Sequence, residues 1–380
     1  MRRARALASL LPLLIITWAA EAHIFTEWLP LDYVAYADPF GHDVVDRYTD
    51  VWSDGRRVWL ASRQDGVALL SLDDQGQLTH QATYRPSSPV SFSSLAGRGH
   101  MAFLASDSGG GVQILDLHNP LEPRHVASIH RKQGGHTSVD RIRIAEHWLY
   151  QVSANSTRLK VFDISDPEHP RLATEVDTPD QLGLSDVVVT PGRLYLAGRA
   201  GPDGAGAVYF FDTSSSDTGQ LEIRPRGQLE TGPNTTSIDV TPDQRFLIVS
   251  HRERGGSISI FDMEDAAGPA LIAEMDAADY EINSYSAGRV RVEEQVVYVA
   301  WHQGGVQLID LDTVDLLGWT QRIGAFGTAP GISPMQGFVG NVSVFPSARA
   351  PHRVLLVDSK WGLYVVDATA VLPKAPGEYE

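Results

Sequence analysis

The chain has 380 residues, a formal charge of −16, 34 glycines, 22 prolines and no cysteine. Its apolar share of 43 % can fill a sizeable core, and with no cysteine that core must be closed without disulfides. The acidity argues against nucleic acid and anionic lipid as partners.

The first segment reads as a leader. Met1-Arg2-Arg3-Ala4-Arg5 is basic, Leu7 to Ala19 is apolar with Pro12 inside it, and Ala20-Glu21-Ala22 fits a small-x-small cleavage site. That order predicts a signal peptide over 1–22 and a single domain over 23–380. The apolar run is short of the roughly 20 residues a membrane span needs, and no second long apolar stretch follows. The expected product is exported, either periplasmic or secreted and surface-associated, and has no transmembrane segment after cleavage.

From there a repeat runs along the chain. "GVALLSLDD" at Gly66 is followed by "GVQILDLHNP" at Gly111, "RLKVFDISDP" at Arg158 and "AVYFFDTSSSD" at Ala207. "SISIFDMED" at Ser257, "GVQLIDLDT" at Gly305 and "GLYVVDATA" at Gly362 complete the series. Asp116, Asp163, Asp212, Asp262, Asp310 and Asp367 end six of the runs and Ser71 ends the first, at intervals of 45, 47, 49, 50, 48 and 57 residues. Each run is preceded by another, such as "RVWLAS" from Arg57 or "VVYVAW" from Val296. The runs are too short for helices and rich in β-branched and aromatic residues, so they predict strands. A weaker alternation upstream ("RIRIA", "RVRVE") and one downstream ("PRHVASI") make four strands per unit, A to D.

Glycine before strand C supplies the positive φ of a tight hairpin. Asp after it is read as a structural turn residue whose carboxylate bonds nearby amides. Units of 40–50 residues with four strands are propeller blades. The expectation is therefore all-β: a seven-bladed β-propeller of four-stranded antiparallel blades. The last unit lacks strand D after Asp367. "DYVAYADPFGHDVVDRYTDV" from Asp32 lines up with "RHVASIHRKQGGHTSVDRIRI" from Arg124, so Tyr33–Ala37 is expected to close the ring beside Leu363–Val366 and remove its open edges.

The "GVQILDL", "RLKVFDISDP", "GVQLIDL" and "GLYVVDA" segments resemble the LVIVD-repeat family of bacterial and archaeal propellers. The resemblance implies an exported or surface-associated propeller without an assigned reaction. Ser71 in blade 1 and the long "SSSDTGQLEIRPRG" connection in blade 4 depart from the pattern and predict irregularity there.

Catalytic motifs are sparse. No blade-closing Trp-Asp, sialidase box, tryptophan-docking motif, phosphate loop, GxSxG or HExxH occurs. What remains is position. D–A and B–C loops share one face at the channel mouth, and they would gather His42, Asp46 and Arg47, then His136, Asp140 and Arg141. They would add His251 with Arg252 and Glu253, Trp301 with His302, and Lys360 with Trp361. Such a face suits a small anionic or aromatic ligand. Two functions are expected from it: a non-catalytic binder of a protein or small ligand, or a lactonase-like hydrolase using His and Asp there. No cofactor is predicted. A divalent metal would require three or more His or carboxylate groups to converge. The chain is expected to be monomeric.

Overall fold

In the computed structural model of the chain the runs of the repeat are strands. The structure describes residues 29–372 apart from 181, 200–203, 217–218, 253–255, 265–267, 280–285, 303, 314–320, 327–340 and 348–349. The expected leader over 1–22 and Glu253 lie outside the described residues. Seven antiparallel sheets follow one another in the order A-B-C-D. Blades 1 to 6 occupy 48–84, 92–129, 141–177, 183–231, 235–276 and 287–326. Blade 7 takes strands A to C from 341–367 and strand D from Asp32–Ala37. Tyr33 faces Val366 and Ala37 faces Leu363 across that last ladder, which is the closure expected from the sequence. Leu29–Pro30 adds a short fifth strand, parallel to Gln321–Phe326, to blade 6. The described residues contain no α-helix, only the single 3₁₀ turns Arg131–Gln133 and Leu311–Thr313. None is a helix long and apolar enough to cross a membrane.

The two irregularities resolve locally. In blade 1 the turn role of the missing carboxylate passes to Asp73, whose Oδ1 accepts from the Gln75 and Gln77 amides at 2.9 and 2.8 Å. In blade 4 the long connection lengthens the C–D hairpin, Gly206–Ser215 against Leu221–Thr231, instead of interrupting it.

Strands B and C are largely buried on both faces, which explains continuous apolar runs in place of strict alternation. In blade 3, Leu149 packs toward blade 2, while Trp148, Tyr150 and Val152 pack toward blade 4. Seven apolar clusters result, one between each pair of neighbouring blades, including blade 7 with blade 1. The glycine before strand C has a second reason besides its φ. At Gly66, Gly111 and Gly362, with φ of 97, 63 and 103°, a Cβ would overlap the carbonyl oxygens of Tyr84, Ile129 and Ala37. Each of these carbonyls ends the adjoining strand D.

Polar groups of the A strands hand the ring from blade to blade. The Leu95 amide of blade 2 donates to Asp50 Oδ2 of blade 1 at 2.8 Å. The Ile142 amide donates to Ser94 Oγ at 3.4 Å and the Ile238 amide to Asp186 Oδ2 at 3.3 Å. The Val290 amide donates to Ser237 Oγ at 3.4 Å, and Ser343 Oγ of blade 7 donates back to Asp50 Oδ1 at 2.7 Å. A short Ser or Asp in strand A thus satisfies buried amides that the neighbouring blade cannot satisfy itself.

Candidate functional site

The A strands surround the axis, and the B–C and D–A connections rise on one end of it. A cavity of about 370 Å³ opens there. Its rim takes one residue from just past or at the end of strand B in each blade: Arg63, Asp107, Ala154, Arg199, Arg252, His302 and Ser359. A lower tier comes from the start of the A strands, with Thr49, Ser93, Arg141, Ser185, Thr236 and Arg289. Asp46 and Asp140 complete the charges, so five arginines face three aspartates. In a chain of charge −16 the mouth is a place where arginines gather, two of them backed by the buried Asp50 and Asp186.

Arg63 Nη1 pairs with Asp107 at 3.0 Å across blades 1 and 2. Arg289 is tied deeper, to Asp50, to Ser343 Oγ at 3.2 Å and to the Ser93 carbonyl at 2.9 Å. Arg141 Nε stands 3.7 Å from Asp186 Oδ1, and this buried nitrogen makes no hydrogen bond. Arg199 is exposed. His302 Nδ1 lies 3.1 Å from Ser286 Oγ. Burial, with the charge of Arg252 beside it, pushes His302 down to about 4, so its ring is neutral at pH 7. Further along the axis Arg291 is pushed down to about 10 by burial and the nearby Arg143, while burial raises Asp239 against the pull of both arginines.

The residues singled out from the sequence divide into three groups. Asp46, Asp140, Arg141, Arg252 and His302 line the mouth. His42 and Trp361 meet beside it, ring centroids 4.7 Å apart, with Lys360 Nζ 4.9 Å from the indole centre. The other four turn inward. Arg47, 8 % exposed, donates to the carbonyls of Phe40 and Gly41 and pairs with Asp43 at 2.9 Å. His136 is buried with Nε2 2.9 Å from the Arg158 carbonyl, and burial pushes it down to about 4. His251, 1 % exposed, sits with Nε2 3.1 Å from Ser259 Oγ, and burial lowers it too. Trp301 is buried in the apolar cluster between blades 5 and 6. His251 and Trp301 are the last residues of B strands, not loop residues, and the pleat directs them between blades.

Of the turn aspartates, Asp116, Asp163, Asp262, Asp310 and Asp367 accept the amide two residues on, at 2.7 to 3.0 Å. Asp212 does not: strand C of blade 4 runs past it, and its carboxylate pairs with Arg193. Sequence reading missed Arg63 and Arg199. The signal was their repeat position, equivalent to those of Arg252 and His302.

Comparison with known proteins corrects one expectation. The family model that matches is the Choice-of-anchor I domain, over residues 141–304, and this replaces the resemblance to LVIVD repeats. No curated protein matches in sequence. Among solved structures, a protein from Lactobacillus plantarum is similar at 14 % identity and a TM-score of 0.64, covering 84 % of this chain and 95 % of that one. The WD40 β-propeller domain of Doa1 is similar at 13 % identity and 0.58, covering 90 % and 98 %. A Bacteroides fragilis protein provisionally named 6-phosphogluconolactonase is similar at 14 % identity and 0.56, covering 74 % and 87 %. At these identities the likeness is one of fold, and the class it defines with the seven blades is the β-propeller.

Proposed function

We propose that the protein is an exported, non-catalytic propeller that binds a small anionic ligand, bearing carboxylate or phosphate, in the channel mouth. The observation that carries this reading is the lining of the mouth as a whole: five arginines and three aspartates around about 370 Å³, in an otherwise acidic chain. Guanidinium groups suit both anions through paired N–H donors, and the volume is that of a small-molecule site. Export is supported by the basic, apolar, small-residue order of residues 1–22 and by a family description that refers to a choice of anchor. The test is calorimetric titration of the chain with inorganic phosphate and with citrate. Binding that is lost in Arg63→Ala/Arg199→Ala, with the melting temperature kept, supports the reading. No binding of either anion at millimolar concentration overturns it.

A lactone hydrolase at the same face is the second reading. Neutral His302 inside the arginine-lined mouth favours it, because such a ring can accept a proton beside a bound anion. Turnover of phosphorylated sugar lactones that disappears in His302→Ala would put this reading first.

A further inference from the structure

The end of the ring opposite the arginine rim carries a different cluster. In blade 2 the A–B turn is Gly99-His100, and Gly99 has a φ of 59° with open space where a Cβ would be. That turn sets His100 beside the end of strand C. There Asp116 Oδ1 accepts the His118 amide at 2.9 Å and lies 2.9 Å from His118 Nδ1. His100 Nε2 is 3.9 Å from the same oxygen. The two imidazole centroids are 3.6 Å apart. One donor atom from each of the three residues falls within 4.8 Å of the others. Asp116 Oδ2 is held from behind by Arg124 Nη2 at 2.9 Å.

The repeat supplies its own controls. Blade 7 sets His352 Nε2 3.8 Å from Asp367 Oδ2, but the residue two past that Asp is Thr369. Blade 3 places His147 before strand B and Asp163 at the end of strand C, and there the residue two on is Ser165. Only in blade 2, among the described residues, do three donors converge.

We propose that His100, Asp116 and His118 form a surface site for a divalent transition metal of the zinc type. Two imidazoles and a carboxylate are a standard zinc donor set, at about 2.0–2.2 Å from the ion. Donors within 4.8 Å of one another reach that spacing by small rotations of the two exposed histidine side chains. Arg124 holds the other carboxylate oxygen and so fixes the orientation of Asp116. A groove of about 360 Å³ between blades 2 and 3, floored by Met101 and Phe103 and edged by Pro167 and Glu168, borders the cluster and leaves room for a further ligand on the ion.

The test is calorimetric titration of untagged, EDTA-treated full chain with Zn²⁺ alone. One ion per chain is expected, with affinity falling at least about tenfold in His100→Ala and in His118→Ala. It should be lost in the double variant and unchanged in His352→Ala. Melting in EDTA should be the same for all four variants, because His100 and His118 are exposed and His352 is partly so. No Zn²⁺ binding by the parent chain, or binding that survives the double variant, overturns the assignment.

Discussion

Replacing Asp50 by Ala tests whether the ring is locked through its axis. Asp50 is 3 % exposed. It accepts the Val51 amide at 2.9 Å, the Leu95 amide at 2.8 Å and Ser343 Oγ at 2.7 Å, and it pairs with Arg289. Four blades meet there: the carboxylate belongs to blade 1, the guanidinium to blade 6, the hydroxyl to blade 7 and the Leu95 amide to blade 2. Truncation leaves a buried guanidinium and two buried amides without their acceptor. Breaking one partner of a buried pair costs about 3–5 kcal/mol. At roughly 2 °C per kcal/mol for a large domain, the melting temperature should fall by about 6–10 °C. Asp50→Asn should fall less, since it keeps one acceptor oxygen but turns an amide toward a donor. Adding Arg289→Met to Asp50→Ala removes the stranded charge, so the double variant should melt well above the sum of the singles. Calorimetry of the four proteins completes the cycle. Additivity within about 0.5 kcal/mol would show the two groups to be independent, and a shift under about 2 °C for Asp50→Ala would refute the lock.

Arg47→Ala should lower the melting temperature, because it frees the Phe40 and Gly41 carbonyls and leaves Asp43 and Asp65 unpaired. It should leave anion titration unchanged, and a selective loss of binding would return Arg47 to the mouth. His136 has a folded pKa lowered to about 4, below its unfolded value near 6.5. The unfolded chain then binds the extra proton, and stability drops as pH falls from about 6.5 toward 4, on the order of 2 kcal/mol by pH 5. Urea denaturation at pH 7 and pH 5 should show a smaller drop for His136→Gln than for the parent. Gly111→Ala should be poorly folded, because its Cβ overlaps the Ile129 carbonyl at a φ of 63°. Gly109→Ala, with only the Thr137 methyl at 4.0 Å, should suffer no more than the strain of its own φ, which circular dichroism melts will separate. Removing residues 29–37 should leave Gly362–Asp367 as an open edge, seen as aggregation in light scattering.

Much of the ring was readable because it rests on local chemistry repeated seven times. Apolar runs, glycine before strand C and Asp after it each have a short-range cause. The closing strand was readable too, since Tyr33–Ala37 keeps the spacing of a D strand from the loop and A strand after it. The site was less so. His251 and Trp301 were read as loop residues, yet one more residue of strand B turns each between blades. Which way a strand-end side chain faces depends on a boundary that sequence locates poorly. Arg47 and His136 do stand in D–A loops, but their partners are carbonyls whose approach is set by the folded backbone. The A-strand layer had a visible trace in Thr49-Asp50-Val51, Ser93-Ser94-Leu95 and Ser185-Asp186-Val187. Its meaning, a carboxylate or hydroxyl accepting from the next blade, depends on neighbours about 45 residues away. The zinc-type cluster was hidden because His100 and His118 belong to different turns.

The closing strand also orders events in time. Asp32–Ala37 leaves the ribosome early, and its partner Gly362–Asp367 some 330 residues later, which at 5–20 residues per second is a wait of about 15–65 s. Throughout that interval the growing arc presents an unpaired blade edge. Closure is thus the most non-local step of the fold. Until it occurs, the early strand of one molecule can pair with the last blade of another, and a domain-swapped dimer is the natural misassembly of this ring at high concentration. Moving residues 29–38 to follow Asp367 through a short turn would convert that encounter into a hairpin. The same native ring would then close by a local step.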